Sequence, residues 1–179
     1  MPMIPAGYQI GRARSHELAD LPAIEVAAAA IFPPEDLAPE SIEEGPPLSF
    51  FEEASSAGHL WVVRALTPPA PVGFAAVVLL DGSAHLYECD VLPAHGRRGL
   101  GRALVLHVAR WARTSRFASL TLTTFRHLPW NAPFYASLGF AEISDRDLGP
   151  DLRAAMLKES ESGLDPNKRI AMGLDLGSF

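Results

Sequence analysis

The stretch Val91-Leu92-Pro93-Ala94-His95-Gly96-Arg97-Arg98-Gly99-Leu100-Gly101-Arg102 decides how this chain is read. It joins the end of a β-type run, Ala84 to Val91, to a segment where Leu100, Ala103, Leu104, Val108 and Trp111 fall on one helix face. Gly96, Gly99 and Gly101 let the backbone turn tightly and expose successive N–H groups. The start of the following helix points its positive end at the same place, and Arg97, Arg98 and Arg102 add charge. Such a loop is an anion site, and a pyrophosphate fits it. There is no GxxxxGK[ST] spacing, and no GxGxxG after the first strand of a βαβ unit, so neither a P-loop nor a Rossmann fingerprint is present. Taken alone, the segment also reads as a glycine-rich turn before a surface helix.

Upstream of the loop, Leu60 to Leu66 and Val72 to Leu80 are β-rich, and Asp81-Gly82 is a hairpin turn signal before the returning strand. Tyr8 to Arg12 is a further strand. Ser15 is placed to cap a helix carrying Leu18, Leu21, Ile24 and Ala28, which Pro33-Pro34 must end. Leu48 to Ala57 reads as a second helix, closed by Gly58. Downstream, Leu120 to Thr124 is a strand and Ala132 to Leu138 a short helix with Gly139 as its C′ residue. Phe140 to Ile143, Arg153 to Glu161 and Arg169 to Leu176 read as strand, helix and strand. Hairpins mixed with crossovers imply an α/β (α+β) fold with a mixed sheet flanked by helices. The proline-rich stretches 33–47 and 67–71 are expected to be surface loops within one domain spanning residues 1–179.

Composition narrows the function. Of 179 residues, 48% are hydrophobic and 20% charged, which suits a globular domain with a real core. A net charge of −6 argues against nucleic acid as a partner. The longest apolar run, Ala70 to Leu80, is too short for a membrane span, and the N-terminus lacks the pattern of a signal peptide. One cysteine, Cys89, excludes an internal disulfide and suits a cytoplasmic setting. The histidines show no HExxH or other tight metal spacing, so no metal is expected.

The loop and its surroundings resemble the GCN5-related N-acetyltransferase (GNAT) family. Gly96-Arg97-Arg98-Gly99-Leu100-Gly101 is similar to its motif A, Gln/Arg-x-x-Gly-x-Gly/Ala. The preceding Leu86-Tyr87-Glu88-Cys89-Asp90-Val91-Leu92-Pro93 resembles the family's fourth strand with its Val-x-Pro ending. Asn131-Ala132-Pro133-Phe134-Tyr135-Ala136-Ser137-Leu138-Gly139-Phe140 looks like motif B, which ends in Tyr-x-x-x-Gly-Phe. The strong match covers residues 84–143. Two departures stand out. Gly96 occupies a position usually held by Gln or Arg, and Asn131 sits about one helical turn from the family's usual asparagine relative to the tyrosine. Asn131 is therefore read either as a cofactor contact or as a helix cap.

The resemblance implies a mostly antiparallel sheet of six to seven strands, splayed between strands 4 and 5. It implies acetyl-CoA as co-substrate, with the pyrophosphate on Arg97, Arg98, Gly99, Leu100, Gly101 and Arg102. The pantetheine arm would add to the strand-four backbone at Cys89, Asp90 and Val91. The thioester would lie beside Glu88 to Asp90 and near Thr123-Thr124. An attacking amine must first lose a proton, and Glu88 is the candidate base, with Asp90, on the same strand face, as its substitute. Glu88 also reads as a solvent-facing strand residue, and Asp90 as a charge that only attracts a cationic substrate. Strand-four N–H groups can hold the oxyanion, and Tyr135 is the candidate to protonate the leaving thiolate. Cys89 reads as a structural thiol rather than an acyl carrier.

In the family the first two helices and their loop shape the acceptor site. Here that region carries Glu35, Asp36, Glu40, Glu43, Glu44, Glu52 and Glu53, an acidic rim suited to a cationic amine on a small molecule or peptide, or simply a solvated loop. Trp130 and Phe125 are either pocket walls or core. The alternative to an enzyme is a non-catalytic acyl-CoA-binding module on the same scaffold. The C-terminal strand can pair within or between subunits, which leaves a homodimer open.

Overall fold

The computed structural model describes residues 4–37 and 45–179. Its strands are β1 (Tyr8–Arg12), β2 (Leu60–Leu66), β3 (Pro69–Leu80), β4 (Ser83–Val91), β5 (Ser119–Phe125), β6 (Ala141–Glu142) and β7 (Arg169–Asp175). Its helices are α1 (Leu21–Ala29), α2 (Leu48–Ser56), α3 (Leu100–Thr114), α4 (Ala132–Ala136) and α5 (Pro150–Glu161). The strands form one seven-stranded sheet in the order β1-β2-β3-β4-β5-β7-β6. Pairing is antiparallel for β1–β2, β2–β3, β5–β7 and β6–β7, and parallel for β4–β5. The β4–β5 ladder holds only Ala84↔Leu120 and His85↔Thr121, so the two strands part after His85, as the family pattern implies.

Residues pack into two compact units, 1–77 with 88–108, and 78–87 with 109–179. The core of the first contains Leu18, Leu21, Ile24, Phe51, Leu60, Val62 and Phe74, with Phe51 and Phe74 edge-to-face at 5.2 Å. Trp61 is also buried, under the Arg12 guanidinium at 4.2 Å from the ring centre. In the second unit, β5 and β7 pair over seven residues and bury Leu120, Leu122, Ile170, Met172 and Leu174.

Several expectations change. The helix expected from Ser15 is a 3-10 segment, Ser15–Asp20, followed by α1. Pro22 in the first turn of α1 has no N–H to bond backward, so the chain starts a new helix there. Ser15 makes no cap; the Glu17 carboxylate instead accepts the Arg14 N–H at 2.7 Å. The expected 67–71 loop is mostly strand, because β3 begins at Pro69. A register shift between Val63 and Arg64 accommodates this start.

The last helix begins at Pro150, earlier than its periodicity suggests. Asp81, in the β3–β4 turn, accepts the N–H groups of Asp151 and Leu152 at 2.9 Å each, while its own N–H donates to Asp151. It thus caps α5 from a distant part of the chain. Gly149 is needed beside it, since a Cβ there would strike the Asp81 carboxylate. Asp81 and Gly82 have φ of 50° and 72°, the left-handed pair the hairpin turn requires.

Candidate active site

The glycine-arginine loop lies in the first unit. Pro93–His95 form a 3-10 turn, Gly96 is extended, and Arg97 and Gly99 turn left-handed with φ of 58° and 82° before α3 begins at Leu100. A non-glycine residue in that region is uncommon, and Arg97 accepts it where the loop must reverse. The N–H groups of Leu100, Gly101 and Arg102 are at the helix start and have no intrahelical acceptor. Arg97, Arg98 and Arg102 are all exposed. Gly96 is explained by space rather than by turning. Its φ is ordinary, but a Cβ would lie 3.1 Å from the Pro93 carbonyl oxygen.

Arg98 has a defined tether. Its guanidinium donates to the Tyr8 hydroxyl at 2.9 Å, and that hydroxyl lies 2.9 Å from His95 Nδ1. Tyr8 thus links the Arg98 guanidinium and the His95 ring through one hydroxyl. Nothing in the local sequence marks Tyr8 as part of the loop.

Beside the loop, β4 ends in Glu88, Cys89, Asp90 and Val91, all partly buried. The Asp90–Val91 backbone presses on β3 at Gly73, where a Cβ would lie 2.5 Å from the Asp90 carbonyl oxygen. A lone glycine inside the apolar run Val72 to Leu80 was the available signal for this approach. Burial, and the like charge of Glu25 on α1, push the Asp90 carboxyl up to about 8. Oδ2 of Asp90 and Oε2 of Glu25 are both closed off from solvent and lack hydrogen-bond partners. Burial raises Glu25 as well. Burial, with Asp90 and Glu88 beside it, pushes the Cys89 thiol well above its usual range, which argues against a thiolate acyl carrier.

The second unit carries Asn131 and Tyr135. Asn131 stands at the N-cap position of α4 but does not cap it; its Oδ1 accepts the Phe125 N–H at 3.3 Å and ties the end of β5 to α4. The cap alternative is thereby overturned, because the side chain faces the strand end. Tyr135 is half-buried, packed edge-on against Phe134 and Phe140 at 5.1 and 5.7 Å. Gly139, with φ of 97°, ends this turn, and the Phe140 N–H reaches back to the Tyr135 carbonyl at 3.2 Å. The Thr123 hydroxyl is held by Glu159 and Arg169, and Arg169 donates to Glu159 at 3.0 Å. Phe125 is core and Trp130 is exposed.

His85, also in this unit, is buried with Nδ1 2.9 Å from the Thr121 hydroxyl. Burial lowers it to about 4, against a weaker opposing pull from Glu159. The native state therefore holds His85 neutral, and the unfolded chain takes up its proton first as pH falls below about 6.5. Stability contributed by the neutral ring is complete above that pH and is lost on the way down to about 4. Comparing wild type with His85→Asn in urea melts at pH 7.5 and 4.5 should show wild type losing about 3 kcal/mol more than the variant. Equal losses would place the proton elsewhere.

Of the acidic rim, Glu35, Asp36, Glu52 and Glu53 are described, and Asp36 is buried; Glu40, Glu43 and Glu44 lie outside the described residues. Among the described residues, two clefts of about 310 and 250 Å³ are lined by none of the predicted site residues. No described helix is long and apolar enough to cross a membrane.

Solved structures of similar fold include the PaiA N-acetyltransferase from Thermoplasma acidophilum in complex with coenzyme A, at 14% identity and a TM-score of 0.62, covering 94% of this chain and 98% of that one. The ribosomal-protein-S18-alanine N-acetyltransferase from Escherichia coli matches at 21% identity and a TM-score of 0.62, covering 94% of both chains. An acetyltransferase of the GNAT family from Staphylococcus aureus Mu50 matches at 16% identity and a TM-score of 0.70, covering 94% of this chain and 99% of that one. At these identities they show the fold. The model of the acetyltransferase (GNAT) family matches residues 24–140, well over half of the sequence and including both the loop and the Tyr135 segment, and the chain belongs to that family of acetyltransferases.

Proposed function

We propose that this protein transfers the acetyl group of acetyl-CoA to a primary amine by direct attack in a ternary complex. The observation that carries the reading is the run from β4 into α3. It sets a carboxyl with an orphaned buried oxygen, Asp90, a few residues before a glycine-arginine anion loop. The pyrophosphate would take the N–H groups of Gly99, Leu100 and Gly101 and the charges of Arg97, Arg98 and Arg102. Its pantetheine would pair with the backbone of Cys89, Asp90 and Val91.

The carboxylate takes a proton from the ammonium, and the neutral nitrogen attacks the thioester carbonyl. A β4 N–H stabilises the oxyanion; as it collapses the C–S bond breaks, the thiolate takes the Tyr135 proton, and the extra proton still on the nitrogen returns through solvent to the Tyr135 oxygen, leaving the neutral amide. Of the two β4 candidates, Asp90 is favoured over Glu88 by its buried oxygen without a hydrogen-bond partner. Asn131 is kept as a cofactor contact through its amide group. The acceptor is a small molecule or peptide amine, and the single cysteine suits a cytoplasmic setting.

The test is in two steps. Acetyl-CoA at 100 times its Kd should stabilise the protein by about 2.7 kcal/mol, seen as a raised Tm. Free CoA should then appear when amines are added. No stabilisation by any CoA species would sink the proposal. Stabilisation without CoA release from any amine would support the non-catalytic acyl-CoA-binding module instead.

A further inference from the structure

One side chain of β1 reaches the glycine-arginine loop. Tyr8 opens β1, and the residue pairs from Tyr8↔Ala65 to Arg12↔Trp61 bind that strand to β2. The Leu66 N–H donates to the Gly7 carbonyl at 2.9 Å and secures the strand's start. The phenol is half-buried, and its ring stands edge-on to His95 at 5.8 Å. Its hydroxyl lies 2.9 Å from His95 Nδ1 and accepts an Arg98 Nη1–H at 2.9 Å. Arg98 Nη2 also donates to the Ala94 carbonyl at 3.4 Å. His95 is held in turn, since it ends the 3-10 turn and its N–H donates to the Leu92 carbonyl at 2.8 Å. A paired strand is thereby joined to the guanidinium of a loop arginine.

Arg98 is exposed, and an exposed arginine ordinarily samples many rotamers. Here two contacts hold it in one posture. A guanidinium has more N–H donors than these two bonds use, so the others stay open to phosphate oxygens. Ordering a long side chain when a ligand arrives costs binding free energy, and a side chain ordered beforehand avoids that cost. An apolar contact would fasten β1 to the loop as well; a hydroxyl placed on a guanidinium fixes where a positive charge stands. We propose that Tyr8 is a positioning residue for the cofactor. Through its hydroxyl it presets the Arg98 guanidinium for the CoA phosphates, which makes β1 part of the cofactor site. This rests on the acetyl-CoA reading above. Tyr8 itself needs no contact with the cofactor.

The probes are CoA, titrated calorimetrically into the intact protein, and acetyl-CoA in turnover with an amine that supports CoA release. Tyr8→Phe keeps the ring and removes only the hydroxyl. It should weaken CoA binding by about two- to tenfold, the cost of ordering one long side chain. In turnover the change should fall on KM for acetyl-CoA and not on kcat. Arg98→Ala should weaken CoA binding by about ten- to a hundredfold, the worth of a hydrogen bond between charged groups. Adding Tyr8→Phe to Arg98→Ala should weaken binding no further, because the hydroxyl acts through that guanidinium. A merely structural role would lower the Tm of the free protein and affect CoA binding equally with and without Arg98. Wild-type CoA affinity in Tyr8→Phe, or the same loss in both backgrounds, would overturn the proposal. Wild-type protein that binds no CoA is a separate outcome and would strike the transfer reading itself.

Discussion

Asp90→Asn should lower kcat/KM for amine acetylation by about 100- to 10,000-fold, the usual worth of a positioned general base. The substitution keeps the size of the side chain and removes its capacity to take a proton. A carboxyl that titrates at about 8 is ionised in roughly one molecule in ten at pH 7. The ionised form is the base, so wild-type kcat/KM should climb about tenfold per pH unit below pH 8 and level above it. It should fall again once the substrate ammonium itself is lost, near pH ~10.4 for a lysine-like amine. Asp90→Asn should abolish the rising limb and leave acetyl-CoA stabilisation nearly intact. Glu88→Gln is the control. If Glu88→Gln removes the limb and Asp90→Asn does not, the base is Glu88, two residues earlier on the same strand face.

The second large effect concerns folding. Glu17→Ala should cost about 3–5 kcal/mol in urea unfolding, because it leaves a guanidinium buried without its counter-ion. The Arg64 and Glu17 side chains are 9% and 4% exposed. Arg64 Nε and Nη2 both donate to the Glu17 carboxylate, the latter at 2.6 Å, and Nη2 also reaches the Arg12 carbonyl at 2.6 Å. The Arg14 N–H completes the set on Glu17. Burial alone would raise the Glu17 carboxyl. The Arg64 hydrogen bonds, the Arg14 N–H and the two arginine charges together hold it below the usual carboxylate range. The pair's stabilisation is therefore present at neutral pH and is lost only as pH falls through that lowered value. A double variant, Glu17→Met with Arg64→Met, should recover most of the loss, since replacing a buried pair by apolar side chains is often neutral. A single variant within 1 kcal/mol of wild type would show that water reaches the pair.

The strand–loop–helix run was legible because its elements are contiguous: strand end, three glycines, three arginines, helix face. The same holds for the Asp81-Gly82 turn, the Gly139 helix stop and the strand runs, all set by local backbone preference or by a periodicity of two or 3.6 residues. The Tyr135 segment was legible only through its family pattern. Polar partnerships followed a different rule. Asp81 reads as a turn residue and also caps α5; Asn131 reads as a cap and instead holds Phe125. Ser15 reads as a cap where Glu17 does the work, because Glu17 is already fixed by Arg64 from β2.

Glu25 falls on a helix that looks mainly apolar, and nothing near it in sequence marks it as a partner of Asp90. The sequence by itself determined the sheet-and-helix order, the family and the glycine-arginine loop, since apolar period and glycine placement act over a few residues. Only the tertiary structure decided which charges bear on the Asp90 carboxyl. Desolvation and like-charge repulsion depend on what packs around a group, and α1 and β4 come together only in the folded chain.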